Sequence, residues 1–255
     1  PIATYNISSS GSPKINPLFR ADGQVVASYS VDPANASLLP GATYDVGQGA
    51  NPLKVTYSTG NTYIGICFLA VSMISAPTGP VAVQDLESGN DVTVYVDGEA
   101  LSRKVIWAGK THATVNPDRP DDQAGWPVRI LKDAISEGVP CKDLLITAEH
   151  CLFFDGKFVP ARLPINGRSI FYDKSFTAYE YYHIETEDHS VIMADGVLTE
   201  SYLDTGNRRT FRKQGNITRI GGHAKTWSTD AAAPLGVDRA FVEPLFRRLE
   251  TRARQ

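Results

Sequence analysis

Short stretches of alternating or continuous apolar residues, separated by turn sequences, run through most of the chain. Between residues 67 and 207, four Asp-Gly or Asn-Gly pairs lie between such stretches, and these pairs tolerate the positive φ angles of tight hairpins. In the clearest case Asp155-Gly156 separates the apolar residues 152–154 from residues 157–159. The pattern predicts a mostly β fold from residue 67 to about residue 207. Hairpin turns are expected at Asp97-Gly98, Asp155-Gly156, Asn166-Gly167 and Asp195-Gly196.

Two short helices are predicted, one within this β pattern and one in the tail that follows it. One lies near Ile130–Gly138, where Gly138 and Pro140 would end it. The other runs from about Val242 to Arg252, with Pro244 in the first turn, where proline fits a helix. The expected fold class is therefore mostly β, with a short C-terminal helix.

The first 66 residues differ in composition from the rest of the chain. They hold six charged side chains and no His or Cys. Strand-favouring stretches at Gln24–Val31 and Leu53–Ile66 predict a small N-terminal β segment, residues 1–66. The remainder is predicted to form a β body, residues 67–211, and a basic C-terminal extension, residues 212–255.

The net charge of −3 conceals an uneven distribution. From residue 207 onward there are 11 Lys and Arg against 4 Asp and Glu, whereas residues 1–206 carry 14 against 24. The basic tail would bind either an acidic partner such as nucleic acid or the acidic body of its own chain. Docking on its own body is favoured, because the tail lacks interleaved aromatic residues that stack on bases. We therefore expect no nucleic-acid partner.

Composition excludes wholesale disorder, since 42% of the residues are hydrophobic and 21% are charged. No apolar run approaches the roughly 20 residues of a membrane-spanning helix, so no membrane span is expected. The first residues lack the basic and apolar regions of a signal peptide, and none is expected. The odd number of cysteines leaves at least one free thiol among Cys67, Cys141 and Cys151, of which the last two are predicted to be buried.

Three sequence blocks carry the candidate chemistry. The first is Gly65–Ala70 around Cys67, and the second is Leu144–His150, an apolar stretch that ends with a Thr and a His three residues apart. The third is Tyr182–Leu198, which reads as a strand, an acidic turn with a histidine, and a second strand. Taken alone, the cysteine is better explained as a small buried hydrophobe and the histidine of the second block as a structural residue.

In this order and spacing the three blocks resemble the Hint module shared by Hedgehog C-terminal domains and inteins. They are most similar to the bacterial Hint subfamily that begins with Cys-Phe-Leu-Ala and ends with the motif found here at Glu200–Asn207. The resemblance covers Cys67 to about Phe211. It implies a Hint-type horseshoe of curved β-hairpins. Proteins of this bacterial type are often exported, so an extracellular location is consistent with the resemblance.

The resemblance also implies a self-processing reaction, in which the Cys67 sulfur attacks the Ile66 carbonyl carbon and converts the amide into a thioester. The thiol must gain thiolate character, and the leaving amine needs a proton. By position, His150 matches the histidine that polarises this bond and protonates the amine, and Thr147 matches the residue that holds the peptide. Water or another small nucleophile would then release residues 1–66, the chain's own substrate, without any cofactor.

Full splicing is not expected. Inteins that splice end in His-Asn followed by a nucleophile, whereas this chain has Thr199-Glu200-Ser201 at that place and lacks the cyclising amide. Two alternatives to self-cleavage remain open. One is a catalytically silent Hint-fold scaffold or interaction module of an exported protein. The other is a cysteine hydrolase in which a Cys67–His150 pair acts on an external substrate.

The third block contains a further polar group. His183, Glu185 and His189 have side chains that suit zinc, but a structural role is favoured because only the first two would share a face of a strand, and no metal is expected. Inteins carry an acidic residue and a histidine at the turn occupied here by Asp188 and His189. The resemblance therefore implies that one of Asp188 and His189 assists His150, and His183 is a further auxiliary candidate.

Overall fold

The structure is a computed structural model that describes residues 66–204 and 225–255, together with the backbone of five further strands. The chain divides into two compact units, residues 1–61 and residues 62–255. The expected end of the β body at residue 211 and the last residues of the Glu200–Asn207 motif lie outside the described residues.

The first unit contains two antiparallel strand pairs. Strand β1 (Ile15–Phe19) pairs with β2 (Val25–Tyr29), and β3 (Thr43–Val46) pairs with β4 (Leu53–Thr56). Strand β2 lies within the predicted stretch at residues 24–31, and β4 begins the predicted stretch at residues 53–66. The remainder of the second stretch up to residue 65 lies outside the described residues.

In its described residues, the second unit is built mostly from antiparallel strands, with one α-helix. In chain order these are β5 (Phe68–Leu69), β6 (Met73–Ile74), β7 (Val81–Ala82), β8 (Asp91–Val96), β9 (Glu99–Thr114), β10 (Val128–Ile130), β11 (Leu144–Ile146), β12 (Cys151–Phe154), β13 (Lys157–Pro160), β14 (Ile170–Tyr172), β15 (Ala178–Thr186), β16 (Val191–Ala194), β17 (Val197–Glu200), β18 (Arg212–Lys213) and α1 (Arg239–Arg252). A 3₁₀ turn spans Val83–Asp85. The predicted class, mostly β with a short C-terminal helix, is confirmed.

These strands form one open sheet that is not closed into a barrel. Its main path runs β13-β12-β17-β16-β8-β9-β15-β5-β11-β10-β14. The 16-residue strand β9 joins the two halves, because its first residues pair with β8 and residues 105–114 pair with β15. A single long strand thus passes from one half of the sheet to the other, and β5 carries the N-terminal end of the body into the second half.

Three of the four predicted hairpin turns have the expected geometry. Both residues of these Asp-Gly pairs have positive φ, for example 47° at Asp155 and 81° at Gly156. The fourth pair differs, because only Gly167 has positive φ and the Asn166 carboxamide oxygen accepts three successive backbone N–H groups, those of residues 168–170. The side chain of this asparagine therefore organises a wider turn than the predicted two-residue hairpin.

The predicted helix near Ile130–Gly138 is wrong. Residues 128–130 form strand β10, and a series of turns follows. Asp133 has φ 62° and Gly138 has φ 74°, and left-handed residues at both positions interrupt a right-handed helix. The Asp133 carboxylate accepts the Gly138 N–H at 2.5 Å, which closes a loop in place of a helical turn.

The predicted C-terminal helix is confirmed and begins earlier than expected, at Arg239. The predicted position of Pro244 in the first turn is wrong, because the earlier start places this proline inside the helix. Its start is fixed by Asp238, whose carboxylate accepts the Phe241 N–H at 2.9 Å as an N-cap. Leu245 and Leu249 are buried in the main hydrophobic core of the β body. Among the described residues, no helix has the length and apolar character needed to cross a bilayer.

The two cysteines outside the first block differ in exposure. Cys151 is buried as predicted, at the start of β12. The predicted burial of Cys141 is wrong, because this residue lies in the exposed connection between β10 and β11, outside the layers of the sheet.

Candidate functional site

Cys67 lies directly before β5 and enters the interior of the body. Its side chain is fully buried, whereas Ile66 is half-buried. The next residue, Phe68, pairs with Ile146 of β11 on one side and with Tyr182 of β15 on the other. The peptide between Ile66 and Cys67 therefore lies where the chain passes from partial exposure into the core.

Thr147 holds the backbone of Cys67 through three hydrogen bonds. The Thr147 N–H donates to the Cys67 carbonyl oxygen at 2.9 Å, and its hydroxyl accepts the Cys67 N–H at 2.8 Å. The same hydroxyl donates to the Cys67 carbonyl oxygen at 3.3 Å. Thr147 follows β11 directly, so the pairing of β11 with β5 places it opposite Cys67. The nitrogen that would leave in the predicted reaction is thus held by a hydroxyl group.

His150 is placed by a tight turn that starts at Thr147. Its N–H donates to the Thr147 carbonyl at 3.1 Å, and its buried ring packs on Phe68 with 4.3 Å between ring centroids. The Nε2 atom lies 2.5 Å from the Thr199 hydroxyl oxygen, and that hydroxyl donates to the Cys151 carbonyl at 2.7 Å.

The hydrogen-bond pattern assigns the tautomer of His150. Because the Thr199 hydroxyl uses its single proton toward Cys151, it can only accept from the imidazole, and Nε2 of His150 carries the proton. The Nδ1 atom is then unprotonated. Within the described part of the chain this buried atom has no hydrogen-bond partner. His150 therefore presents a free lone pair to the interior.

Burial keeps the thiol and this imidazole neutral. It raises the pKa of Cys67 well above its ordinary value, and the negative charge of Glu200 raises that pKa further. Burial also lowers the pKa of His150 to about 3, with a smaller contribution from His189. A thiol that attacks in this environment must therefore lose its proton as the new bond forms, since neither separated ion is stable beforehand.

His183 lies on β15 beside the same apolar ring. Its imidazole centroid is 5.2 Å from that of His150, 5.5 Å from Phe68 and 5.3 Å from Tyr202. The Nδ1 atom accepts the Ile184 N–H at 3.0 Å. Burial lowers the pKa of His183 well below its ordinary value, so this ring is neutral and supports His150 by packing.

His189 and Glu200 form a second buried pair. Both side chains are fully buried, and His189 Nε2 lies 3.6 Å from Glu200 Oε2, which is longer than a hydrogen bond. His189 Nδ1 accepts the Ala232 N–H at 3.1 Å, and Glu200 Oε1 accepts the Cys151 N–H at 2.7 Å. Burial raises the pKa of Glu200.

Asp188 lies away from this interior group. It is exposed, and its carbonyl oxygen accepts the hydroxyls of Thr186 and Ser190 at 2.5 and 2.8 Å, which shapes the turn before His189. Asp188 therefore acts through its backbone carbonyl, which shapes the turn that leads to His189.

The side chains of the third block do not converge on one point. Glu185 is buried and pairs with Lys225 at 3.1 Å, whereas His183 contacts the aromatic rings around Phe68. Among the described residues, no group of three or more His, Cys, Asp or Glu side chains is arranged to hold a metal ion.

Thr147 therefore bonds to the backbone of Cys67, and His150 packs on the ring of the next residue, Phe68. Thr199 bonds to His150, and Glu200 bonds to the backbone of Cys151. The sequence marked these two residues only as the place where the asparagine of splicing inteins is missing. One signal for Glu200 was present in the sequence: an ionisable residue that ends the otherwise uncharged strand β17 and precedes Ser-Tyr-Leu.

Comparison with known proteins matches the same part of the chain. A sequence model described as "Hint domain" matches residues 66–206. An intein-like domain from Clostridium thermocellum is similar, with 15% identity, a TM-score of 0.38, and coverage of 54% of this chain and 99% of that domain. A DnaB intein from Synechocystis sp. has 14% identity, a TM-score of 0.35, and coverage of 53% and 98% respectively. No curated protein matches the sequence.

Proposed function

Because the chain belongs to the Hint domain family, whose sequence model spans more than half of its residues, we propose that it processes itself at the Ile66–Cys67 bond. The Cys67 sulfur bonds to the Ile66 carbonyl carbon, the bond from that carbon to the Cys67 nitrogen breaks, and the thiol proton passes to the nitrogen. Water or another small nucleophile then attacks the thioester carbon. The carbon–sulfur bond breaks, the thiol is restored, and residues 1–66 are released.

One contact carries the proposal: the Thr147 hydroxyl accepts the N–H of Cys67 at 2.8 Å. This N–H belongs to the bond that would break, and the carbonyl of the same residue is fixed by the Thr147 N–H at 2.9 Å. A peptide held from both its nitrogen and the following carbonyl has little freedom to move away from the sulfur. Holding reacting groups in place lowers the barrier to attack.

His150 supplies a route for the proton. Its Nδ1 lone pair is free, and its Nε2–H is committed to Thr199, so it can take up a proton on one nitrogen without losing its orientation. Since burial lowers its pKa to about 3, a proton accepted from sulfur would be passed on readily to the leaving nitrogen. The neutral resting states of the thiol and imidazole favour a coupled transfer over prior formation of a thiolate.

The proposed reaction stops at cleavage. Strand β17 ends with Thr199 and Glu200, and Ser201 follows. None of these has a side-chain amide that could cyclise, so the second bond rearrangement of splicing has no reactant here. Both side chains instead bond to neighbouring groups of the body.

A second candidate is a Hint fold that performs no chemistry. It is favoured by the complete burial of Cys67 and by the raised pKa of its thiol, which leave the sulfur protonated at rest. The same burial argues against a hydrolase for external substrates, because a large substrate has no access to a fully buried thiol.

The two candidates differ in their response to a small thiol. The purified protein, residues 1–255, is incubated with dithiothreitol and followed over time by intact mass spectrometry. Self-processing should yield residues 1–66 and residues 67–255. Cys67→Ala should yield neither fragment, and Cys141→Ala serves as a control for loss of a thiol at an exposed position. Persistence of the intact chain in excess thiol would favour the silent scaffold.

A further inference from the structure

A segment beyond the family match covers one end of the buried polar group. Residues 225–236, here called the C-terminal strap, begin where the Lys225 N–H donates to the Asp204 carbonyl at 2.7 Å. The Lys225 ammonium pairs with the buried Glu185 carboxylate at 3.1 Å. The strap is thus anchored at its start to strand β15.

The other end of the strap is fixed to strand β13. The Phe158 N–H donates to the Pro234 carbonyl at 2.9 Å, and the Gly236 N–H donates to the Phe158 carbonyl at 2.8 Å. Gly236 is required by close approach, because a Cβ at this position would lie 2.8 Å from the Phe241 ring. Because both ends of the strap are bonded to the body, the middle of the strap has a defined position on it.

The middle of the strap contacts His189 in two ways. The Trp227 ring packs edge-on against the imidazole with 5.4 Å between centroids, and it also contacts Phe158 at 6.0 Å. The Ala232 N–H donates to His189 Nδ1 at 3.1 Å. A backbone N–H can only donate, so it fixes Nδ1 as the unprotonated nitrogen and places the proton of neutral His189 on Nε2.

That proton faces Glu200, whose Oε2 atom lies 3.6 Å from His189 Nε2. Glu200 Oε1 in turn accepts the Cys151 N–H at 2.7 Å. The Cys151 carbonyl accepts the Thr199 hydroxyl, which accepts from His150. A series of polar groups therefore runs from the strap to His150, with one separation of 3.6 Å between His189 and Glu200 that is longer than a hydrogen bond. The His150 ring packs on Phe68, the residue after Cys67.

We propose that the C-terminal strap is a positioning element of the site, and that the Ala232 N–H holds His189 in the tautomer whose Nε2–H faces the Glu200 carboxylate. Without this donor, His189 can carry its proton on Nδ1 or rotate, and Glu200 loses the group that faces its free oxygen. Thr199 and His150 are then less firmly held. The effect on cleavage rests on the proposed function, whereas the tautomer of His189 does not.

The test uses full-length protein with Ala232→Pro, which removes the N–H, and Ala232→Gly, which keeps it. The first measurement is the ¹⁵N resonance of the two ring nitrogens of His189 in protein labelled at histidine. The wild-type protein should show an unprotonated, hydrogen-bonded Nδ1 and a protonated Nε2. In Ala232→Pro, the chemical shift of Nδ1 should become that of an imidazole nitrogen without a hydrogen-bond donor, or an average over two tautomers. Ala232→Gly should give the wild-type spectrum.

The second measurement is the rate of thiol-induced cleavage at Ile66–Cys67. Loss of one orienting hydrogen bond should slow it about five- to tenfold in Ala232→Pro, with recovery in Ala232→Gly. An unchanged His189 spectrum in Ala232→Pro overturns the proposal, as does an altered spectrum with an unaltered cleavage rate. If the wild-type protein does not cleave, the proposed function fails, and the spectra still decide whether the strap fixes His189.

Discussion

The peptide at Cys67 and the C-terminal helix α1 are attached to the same β body by different means. The Cys67 peptide is held by backbone and hydroxyl hydrogen bonds from Thr147, in a fully buried position. Helix α1 is held by two buried leucines, Leu245 and Leu249, and by exposed ion pairs such as that between Arg248 and Asp155 at 3.3 Å.

Because of this difference, the rate of cleavage at Ile66–Cys67 and the free energy of unfolding should depend on different residues. Short directional contacts at Cys67 fix the orientation of one bond. The helix contributes apolar area to the core through Leu245 and Leu249. Changes at the peptide should therefore alter the rate of cleavage in a folded protein, and changes in the helix should alter folding while leaving the chemistry of the folded fraction intact.

The largest effect is expected from His150→Ala. Loss of the proton carrier should slow thiol-induced cleavage by about 10²- to 10⁴-fold, the usual contribution of general acid–base catalysis. Rates from intact mass spectrometry, with circular dichroism to verify folding, measure this effect. The control is His112→Ala, which removes an exposed histidine on β9 and should cleave at the wild-type rate. Equal rates in both variants would place the proton transfer elsewhere.

Leu249→Ala tests the other side of the comparison. Removing a fully buried leucine from the core should lower the free energy of unfolding by about 2–5 kcal/mol. The matched change Arg248→Ala breaks an exposed ion pair and should cost less than about 1 kcal/mol. Urea unfolding measures both. If Leu249→Ala stops cleavage in conditions where it remains folded, the separation between helix and site does not hold.

Thr147→Ala should slow cleavage about tenfold, since the Cys67 N–H loses a buried acceptor. Thr147→Ser keeps the hydroxyl and should recover most of the rate. Single-turnover cleavage of the three proteins in dithiothreitol gives the comparison. A serine variant as slow as the alanine variant would assign the role of Thr147 to packing of its methyl group instead of hydrogen bonding.

The smallest effect concerns pH and stability. The folded-state pKa values of His150, about 3, and His183 lie below their ordinary value, so the unfolded chain binds more protons as pH falls below about 6.5. Stability supplied by the neutral rings is present above that pH and declines toward pH 3, by up to about 1.4 kcal/mol per pH unit for each proton. Glu200 acts in the opposite direction, because its pKa is raised.

The contribution of one ring is isolated by comparing the wild-type protein with His150→Gln. The variant should lose less stability between pH 7 and pH 5 in urea unfolding, because one titrating group is gone. Parallel pH profiles in the two proteins would mean that His150 does not resist protonation in the folded state.

Local sequence signals predicted local structure well in this chain. Asp155-Gly156 adopts the positive φ angles that its residues tolerate, and Pro244 lies in the helix predicted around it. The helix predicted at residues 130–138 failed because Asp133 takes a left-handed conformation, which few residues adopt and which its bond to the Gly138 N–H stabilises. Asp133 and Gly138 are residue types that adopt the left-handed conformation more readily than most, so their presence could have indicated turns instead of a helix.

The candidate site was only partly accessible from sequence. Cys67, Thr147 and His150 were identified by resemblance, whereas their contacts join residues 80 positions apart and depend on the pairing of β5 with β11. The donor to His189 is a backbone N–H 43 residues away, at Ala232. A backbone donor leaves no trace in residue type, so no sequence pattern indicates it.

The most direct test of self-processing is the chemical nature of the new chain end after treatment with hydroxylamine. The wild-type protein should release residues 1–66 with a hydroxamate on Ile66 and residues 67–255 with a free amine on Cys67, both identified by mass spectrometry. Cys67→Ala should remain intact under the same conditions. A chain that stays whole in hydroxylamine, or that is cut equally in both proteins, would contradict thioester formation at Cys67.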